Sequence, residues 1–154
     1  MRKKKFDYYI FVDYSENLIG YNIIKEGSAM DLLPKLFKFR HYKGSRNRKL
    51  YIKHLKNSIK KNKIKSYFEK IRIMEVRKNM DLFLEILEFI KKNNNCAIFI
   101  SVDDYQYRYF TRLVKMVDGD KTKVFKESEL RKDSMEYKLS LVIDNLLNIE
   151  RRKE

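Results

Sequence analysis

The sequence predicts an α/β protein in which a mixed sheet of about five strands carries helices on both faces. Two short runs, residues 8–12 and 96–102, consist almost wholly of β-branched, aromatic and small apolar residues, as expected of strands buried on both faces. The segment after the first run returns as a second strand, and strands alternate with helices in the second half of the chain. A hairpin followed by such alternation makes a sheet that is partly antiparallel and partly parallel.

The first half of the chain contains the hairpin and a long helical segment. Residues 14–17 have the composition of a turn, and residues 18–24 return as the second strand. Residues 28–39 carry apolar side chains at loose helical spacing, and residues 40–48 have the composition of a loop. The spacing of apolar residues then predicts a helix over residues 49–61. This segment therefore interrupts the sheet between its second and third strands.

The second half of the chain supplies the remaining strands and helices. Strands are predicted at residues 67–76, 96–102 and 122–125. Helices are predicted to begin near Asn79 or Asp81, near Tyr105 and near Lys132. No internal repeat or low-complexity linker divides the chain, so residues 1–154 are predicted to form a single domain.

Positive charge is concentrated in one interval of the chain. The net charge is +15, and no Asp or Glu occurs between Asp31 and Glu69, where thirteen lysines and arginines stand. A block of one sign repels itself unless a polyanion neutralises it, so phosphates are the predicted partner. We therefore predict a basic, largely helical insertion at about residues 28–63 that binds nucleic acid, either DNA or RNA.

The helix predicted within this insertion has two distinct faces. Tyr51, Leu55 and Ile59 fall on one face, while lysines at spacings of four, three and four residues line another. Stacked lysines destabilise an isolated helix, and a phosphate backbone beside them would stabilise it. The predicted nucleic-acid-binding residues are Arg46, Arg48, Lys49, Lys53, Lys56 and Lys60.

Several classes of protein are excluded by other features of the sequence. No apolar run approaches the length of about 20 residues that a membrane helix needs, and no small-residue cleavage site follows the basic start. Cys96 is the single cysteine, which excludes an internal disulfide and favours a reducing compartment. His41, His54 and Cys96 do not have the spacing of a zinc site. The predicted location is the cytoplasm, without a membrane partner.

A carboxylate stands at the end of the first strand. The apolar run ends on Asp13, although a buried strand has no structural need for a charged side chain at its tip. We interpret Asp13 as one wall of a metal site. The alternative is that Asp13 ends the strand and hydrogen-bonds the turn that follows it.

The order of elements and three short motifs resemble the ribonuclease H-like superfamily, which includes retroviral integrases, transposases and Holliday-junction resolvases. FVDYSEN is similar to the Asp-Glu-Ser-Gly opening of a group of small, mostly uncharacterised members, although Tyr14 stands where they have Glu. The spacing from Asp13 to Gly20-Tyr21 is similar to the first hairpin of the resolvases. The tail from Glu127-Ser128 to LSLVIDNLL resembles the closing motif of the same small group, in which an apolar helix carries a single Asp.

The resemblance implies a site for Mg²⁺ or Mn²⁺. In that fold the first and fourth strands lie side by side and parallel, each ending in an acid, and the last helix adds another. The matching ligands are Asp13, Asp103 or Asp104, and Asp144, of which Asp13, Asp103 and Asp144 are the implied catalytic residues. Neighbouring strands are about 4.8 Å apart, so Asp13 and Asp103 are expected to lie close together. Capping of the next helix is the alternative role for Asp103 and Asp104, and a solvated position is the alternative for Asp144.

A second family keeps this chemistry but changes the fold. FVDYSEN is also similar to the Asp-x-x-Asn start of PIN-like nucleases, including their NYN branch, with one residue extra. SVDD then resembles their Ser-Gly-Asp-x-Asp motif with Val102 in place of Gly, Asp81 becomes a metal ligand at a helix start, and the sheet is parallel. Residues 18–24 discriminate between the two families, because a strand favours the ribonuclease H-like fold and a helix favours the PIN-like fold.

The predicted function is that of a metal-dependent nuclease, a hydrolase that cleaves a nucleic-acid phosphodiester at the carboxylates. Hard cations prefer carboxylate oxygens, and two of them about 3.5–4 Å apart stabilise charge on the attacking and leaving oxygens. The alternative is a nucleic-acid-binding protein of the same fold without catalysis, in which the acids are remnants or caps. A homodimer would suit a junction- or transposition-type enzyme.

Overall fold

The computed structural model describes residues 5–153 and contains a five-stranded sheet with helices on both faces. The strands are β1 (Tyr8–Ser15), β2 (Leu18–Lys25), β3 (Lys70–Glu75), β4 (Cys96–Ile100) and β5 (Lys123–Lys126). The helices are α1 (Glu26–Leu32), α2 (Arg48–Lys61), α3 (Asn79–Lys92), α4 (Asp104–Asp118) and α5 (Met135–Arg151). In the part of the chain that the structure describes, no helix is both long and apolar enough to cross a membrane.

The strand order across the sheet is β3-β2-β1-β4-β5. β2 pairs antiparallel with both β1 and β3, whereas β4 pairs parallel with both β1 and β5. The predicted fold class, a mixed five-stranded sheet between two layers of helices, is therefore confirmed. Because the discriminating segment forms strand β2, the topology is the one expected of the ribonuclease H-like fold and not of the parallel PIN-like sheet.

Alternate residues of each strand face opposite helical layers. Tyr9 and Phe11 of β1 are buried against α5 and the segment that contains α1 and α2. Ile10 and Val12 are buried against α3 and α4. The alternation continues to the end of the strand, so Asp13 belongs to the row that faces α5.

The basic segment between β2 and β3 packs on the same face of the sheet as α5. Its apolar side chains, among them Leu32, Leu36 and Leu55, are buried in one core with those of α5. Pro34 lies in the 3₁₀ turn Leu33–Leu36, just after the end of α1, where its ring does not interrupt a helix. The helix that carries Asp144 is therefore covered by the basic segment.

Candidate active site

Ser101, not Asp103, lies beside Asp13 at the end of the β1–β4 pair. Val12 lies opposite Ile100, and the backbone N–H of Ser101 donates to the carbonyl of Val12 at 2.9 Å. Asp103 stands two residues further along, or about 6.6 Å if the strand continued. The register thus places Ser101 next to Asp13, and the closeness of Asp13 and Asp103 stays a prediction.

Glu127 completes the row on the other side of Ser101. Phe99 of β4 lies opposite Phe125 of β5, and their rings stack with centroids 5.1 Å apart. Two residues beyond each of them on the same face are Ser101 and Glu127. The carboxyl ends of β1, β4 and β5 therefore present Asp13, Ser101 and Glu127 side by side beneath α5.

Helix α5 brings Asp144 to this row because β2 has a glycine opposite Asp13. Gly20 pairs with Asp13 in the hairpin, and a Cβ on Gly20 would lie 3.1 Å from side-chain carbons of Ile143 and Leu147. The missing side chain lets α5 approach the sheet closely. Asp144 is consequently only 5% exposed, and Asp13 only 6%. The solvated position considered for Asp144 is therefore wrong.

The loop before α2 covers Asp144 from the side away from the sheet. The backbone N–H of Tyr42 donates to Asp144 Oδ2 at 2.9 Å, and His41 Nε2 lies 3.7 Å from Asp144 Oδ1. The side-chain amide of Asn145 donates to the carbonyl of Arg40 at 2.9 Å. Three consecutive residues of the basic segment are thus fixed against α5 at the candidate site.

The buried side chain of Tyr42 anchors this loop. Its hydroxyl accepts a hydrogen bond from Arg152 Nη1 at 2.7 Å. The guanidinium carbons of Arg48 and Arg151 lie 5.6 and 5.8 Å from the centre of its ring, within the range of cation–π attraction. The position of the loop over Asp144 is therefore set by contacts with both α2 and the end of α5.

Asp13 has a pKa well above the usual range of an aspartate. Burial is the main cause, and the negative charges of Glu127 and Asp144 add to it. The backbone N–H of Tyr14, which donates to Asp13 Oδ1 at 2.8 Å, and the hydroxyl of Ser101 lower the pKa in part. Asp13 therefore holds its proton more strongly than an exposed aspartate does.

Glu127 is half-buried, and its pKa is also raised, first by burial and then by the charge of Asp144. Ser101 and Ser140 oppose the shift by hydrogen bonding, and His41 opposes it by its charge. Within residues 5–153, no lysine or arginine forms an ion pair with Asp13, Glu127 or Asp144. The three carboxylates thus repel one another, and His41 is the one positively charged group named beside them in the described part of the chain.

The donor set of this cluster fits a hard divalent cation. Carboxylate and hydroxyl oxygens are the ligands that Mg²⁺ and Mn²⁺ prefer. No group of three or more His, Cys, Asp or Glu side chains among the described residues is placed so that it could hold a metal ion by itself. Mg²⁺ is commonly held by one or two carboxylates, with water and substrate oxygens completing its shell. Asp13 and Asp144, with Glu127 beside them, are the residues that would hold such an ion.

The other predicted carboxylates have different contacts. Asp103 caps α4, where its Oδ1 accepts the N–H of Gln106 at 2.8 Å. Asp104 is exposed and forms an ion pair with Lys126. Asp81, the ligand expected in a PIN-like fold, lies exposed in the first turn of α3. The ligand roles of Asp103 and Asp104 stay predictions, and capping is the role that the hydrogen bond of Asp103 supports.

Sequence reasoning named Glu127 only as the start of the tail that resembles the closing motif of the related group, and not as a site residue. Its signal is the alternation along β5, in which Lys123, Phe125 and Glu127 share one face. That signal becomes readable only once β5 is paired with β4, because the carboxylate lies past the end of the strand. Tyr14, which stands where the related motif has Glu, points to the other side of the sheet and packs with the α3–α4 core.

The predicted nucleic-acid-binding side chains are all exposed, at the start of α2 and along it. Lys56 and Lys60 line a cleft with the end of α5, whereas Arg46 lines a second cleft on the other side of α2. The basic helix therefore presents positive charge to solvent in two directions.

Solved structures with this fold include ribonucleases. Ribonuclease H2 from Pyrococcus horikoshii OT3 matches with a TM-score of 0.57 and 14% sequence identity, over 96% of this chain and 73% of that chain. A structure of the PCNA:RNase HII complex from Archaeoglobus fulgidus matches with a TM-score of 0.55 and 14% identity, over 94% of this chain and 72% of that chain. No protein-family model and no curated protein matches the chain. The protein has the ribonuclease H-like fold.

Proposed function

We propose that this protein is a metal-dependent nuclease that hydrolyses a nucleic-acid phosphodiester at Asp13, Glu127 and Asp144. The supporting observation is that these three carboxylates are close enough to act on one another electrostatically, with no ion pair to a described lysine or arginine. Buried carboxylates in proteins are normally paired or bound to a cation, because an isolated buried charge is costly. A divalent cation explains the cluster better than packing does.

The residues of the cluster have separable roles in this proposal. A divalent cation bound there supplies stabilisation of the charge on the attacking and leaving oxygens of the phosphodiester. Asp13 is held in place by the N–H of Tyr14, and Ser101 orients Asp13 and Glu127 from between them. The raised pKa of Glu127 suits its carboxylate to accepting a proton from the attacking water. His41, whose side chain is 41% exposed, lies between Asp144 and solvent, where it can donate to a phosphate oxygen.

Nucleic acid is the substrate class that the surface supports. The basic segment contributes His41 and Tyr42 to the cluster, so the residues on either side of them in the chain, Arg40 and Lys43, bring positive charge beside the proposed reaction site. Positive charge beside a carboxylate cluster suits a polyanion that must be held over bound cations. The names of the two structural neighbours, ribonuclease H2 and RNase HII, agree with this substrate class.

Cleavage assays with matched variants test the proposal. We expect wild type to cut at least one of single-stranded RNA, duplex DNA or an RNA–DNA hybrid with Mg²⁺ or Mn²⁺, and to cut none of them in EDTA. Asp13→Asn, Glu127→Gln and Asp144→Asn should each abolish cleavage while binding survives. Asp81→Asn is the control, since it removes an exposed acid on α3, which packs on the other face of the sheet from α5.

Two other results would be informative. If Asp103→Asn also abolishes cleavage while α4 stays folded, the site includes Asp103 as the sequence predicted. If wild type binds nucleic acid but never cuts it, and the three cluster variants behave like wild type, catalysis is wrong and the non-catalytic binding alternative holds.

A further inference from the structure

A cleft of about 500 Å³ lies between residues 37–40 and helix α2, next to the candidate active site. Its lining combines apolar and aromatic side chains, including Phe37, Leu50 and Tyr51, with positive ones, including Lys38 and Arg46. None of the described residues that line it is an aspartate or a glutamate. The cleft is therefore suited to a ligand that has both an apolar face and a negative charge.

We propose that this cleft binds an unpaired nucleotide of the substrate, with the base against Phe37 and the neighbouring phosphates on Lys38, Arg40 and Arg46. The proposal deepens the nuclease function above and rests on it for the identity of the substrate. On this proposal, the substrate has a single-stranded segment beside the phosphodiester that is cut, and this segment binds in the cleft.

The base-binding part of the cleft is an aromatic ring that the fold leaves in solvent. Phe37 is 73% exposed, and Leu50 at the start of α2 is also exposed. Lys38 Nζ lies 5.6 Å from the centre of the Phe37 ring. An exposed aromatic ring flanked by positive charge is the arrangement on which single-stranded nucleic acid stacks its bases, largely without sequence preference.

The phosphate-binding part of the cleft contains three positively charged side chains, Lys38, Arg40 and Arg46. Across residues 5–153, neither Lys38, Arg40 nor Arg46 forms an ion pair. Arg40 is also held in position, because the hydroxyl of Tyr51 accepts its N–H at 2.8 Å and donates to its carbonyl at 2.9 Å. These charges complement a phosphate backbone.

The cleft and the carboxylate cluster are contacted by two consecutive residues of the chain. Arg40 lines the cleft, and the next residue, His41, has its Nε2 3.7 Å from Asp144 Oδ1. Neighbouring Cα atoms are about 3.8 Å apart across a trans peptide bond. A nucleotide in the cleft would therefore be adjacent to a phosphodiester held at the cluster.

The apolar lining favours an unpaired nucleotide over a continuous duplex. In a duplex both faces of each base are stacked, and a base reaches a protein pocket only after it is extruded. Phosphates alone would need only exposed cations, which Lys49 and Lys53 on α2 already provide. The ring of Phe37 adds an aromatic surface on which a base, but not a phosphate, can stack.

Binding measurements in EDTA on the Asp13→Asn protein test this proposal without any dependence on cleavage. The probes are fluorescein-labelled oligothymidylate, oligouridylate and a short DNA duplex, followed by fluorescence anisotropy. We expect Phe37→Ala to weaken single-strand binding by about 5- to 100-fold, the range for losing one base–aromatic stack, and to change duplex binding little. Tyr105→Ala, which removes an aromatic ring that is 76% exposed on α4 outside the cleft, is the matched control and should have no such effect.

Phe37→Trp gives a direct readout of stacking, since the chain contains no tryptophan. Its fluorescence should be quenched by oligothymidylate and not by polyglutamate, which has the charge without the bases. Equal loss of binding in Phe37→Ala and Tyr105→Ala, unchanged single-strand binding in Phe37→Ala, or equal quenching by polyglutamate would overturn the proposal.

The two proposals fail differently in these experiments. Selective single-strand binding through Phe37, in a protein that never cuts, would leave the cleft assignment standing and remove the nuclease function. Metal-dependent cleavage with a KM that Phe37→Ala does not change would leave the nuclease function standing and remove the cleft assignment.

Discussion

Asp13 is the residue at which stability and the proposed function oppose each other. Its pKa is raised by burial and by two neighbouring carboxylates, so the folded protein binds a proton at Asp13 more strongly than the unfolded chain does. The stability that this proton contributes is fully present below the unfolded pKa of about 3.9 and is lost as the pH rises through the folded value. Near neutral pH the charged form destabilises the fold unless a cation is bound.

We expect Asp13→Asn to melt at a higher temperature than wild type at neutral pH in EDTA. A gain of a few degrees is expected, because about 1 kcal/mol shifts the midpoint by about 2–4 °C in a chain of this length. The amide keeps an oxygen for the N–H of Tyr14 and removes the buried charge. The gain should shrink as the pH falls towards 4, and thermal denaturation followed by circular dichroism across pH measures it.

The same thermal denaturation experiment with added Mn²⁺ provides the control. Wild type should gain stability on addition of the ion, and Asp13→Asn should gain little. A wild-type melting temperature that does not respond to Mn²⁺ at any pH, together with an Asp13→Asn protein less stable than wild type, would contradict this account of the cluster.

At the scale of elements, the approach of α5 to β2 decides whether Asp144 reaches the row of polar residues. A Cβ at Gly20 would lie 3.1 Å from side-chain carbons of Ile143, Leu147 and Ile73, which is closer than ordinary van der Waals contact. Contacts this short force neighbouring side chains or the helix to shift. The distance between α5 and the sheet therefore depends on this single residue of the hairpin.

We expect Gly20→Ala to destabilise the fold by about 1–3 kcal/mol through overpacking and to reduce cleavage by displacing Asp144 from Asp13. Thermal denaturation measures the first effect, and cleavage at a temperature where both proteins are folded measures the second. Gly27→Ala is the control, because a Cβ there meets nothing within 4 Å and should stabilise α1 by about 0.5–1 kcal/mol. A Gly20→Ala protein as stable and active as wild type would show that α5 tolerates a larger separation.

Elements were predictable where the pattern is local, and contacts between elements were not. The continuous apolar run at residues 8–12 and the helical spacing of Leu82, Ile86 and Ile90 depend on near neighbours in the chain, so the strand and the helix were predicted from the sequence. The first turn of α5 was misplaced. It begins at Met135 after the cap Ser134, three residues later than predicted, because polar residues before the apolar stripe do not distinguish loop from helix.

At the scale of the whole molecule, the basic segment and the carboxylate cluster lie close together. The basic segment lies on the α5 face and touches Asp144 through residues 41 and 42. Other lysines lie at the opposite end of the strands, where α3 ends before β4 begins and α4 ends before β5 begins. The distribution of charge, and not the net value of +15, should therefore determine how nucleic acid binds.

We expect replacement of Lys49, Lys53, Lys56 and Lys60 by Gln to weaken nucleic-acid binding and to flatten its salt dependence. Each lost phosphate contact lowers the slope of log affinity against log salt by about 0.7–0.9. The control removes the same amount of charge at the opposite end of the strands, by replacing Lys91, Lys92, Lys115 and Lys121 with Gln. Titrations at several salt concentrations measure both slopes, and an equal change in the two variants would mean that net charge alone accounts for binding.

The sequence by itself determined the strands and helices that make the mixed sheet, the carboxylate at the end of the first strand and the basic segment that interrupts the fold. These features follow from the residues within one element, where periodicity and charge can be read directly. Asp144 was named from the resemblance of the tail that contains the last helix, and its ligand role stays a prediction.

Only the tertiary structure decided which groups meet Asp13. Strand register placed Ser101 and Glu127 beside it, and Asp103 went to the cap of α4. A strand advances about 3.3 Å per residue and alternates its faces, so a shift of one or two residues in pairing changes every neighbour. That register is set by contacts between segments some ninety residues apart, as in the pairing of Val12 with Ile100, and no local pattern in the sequence records it.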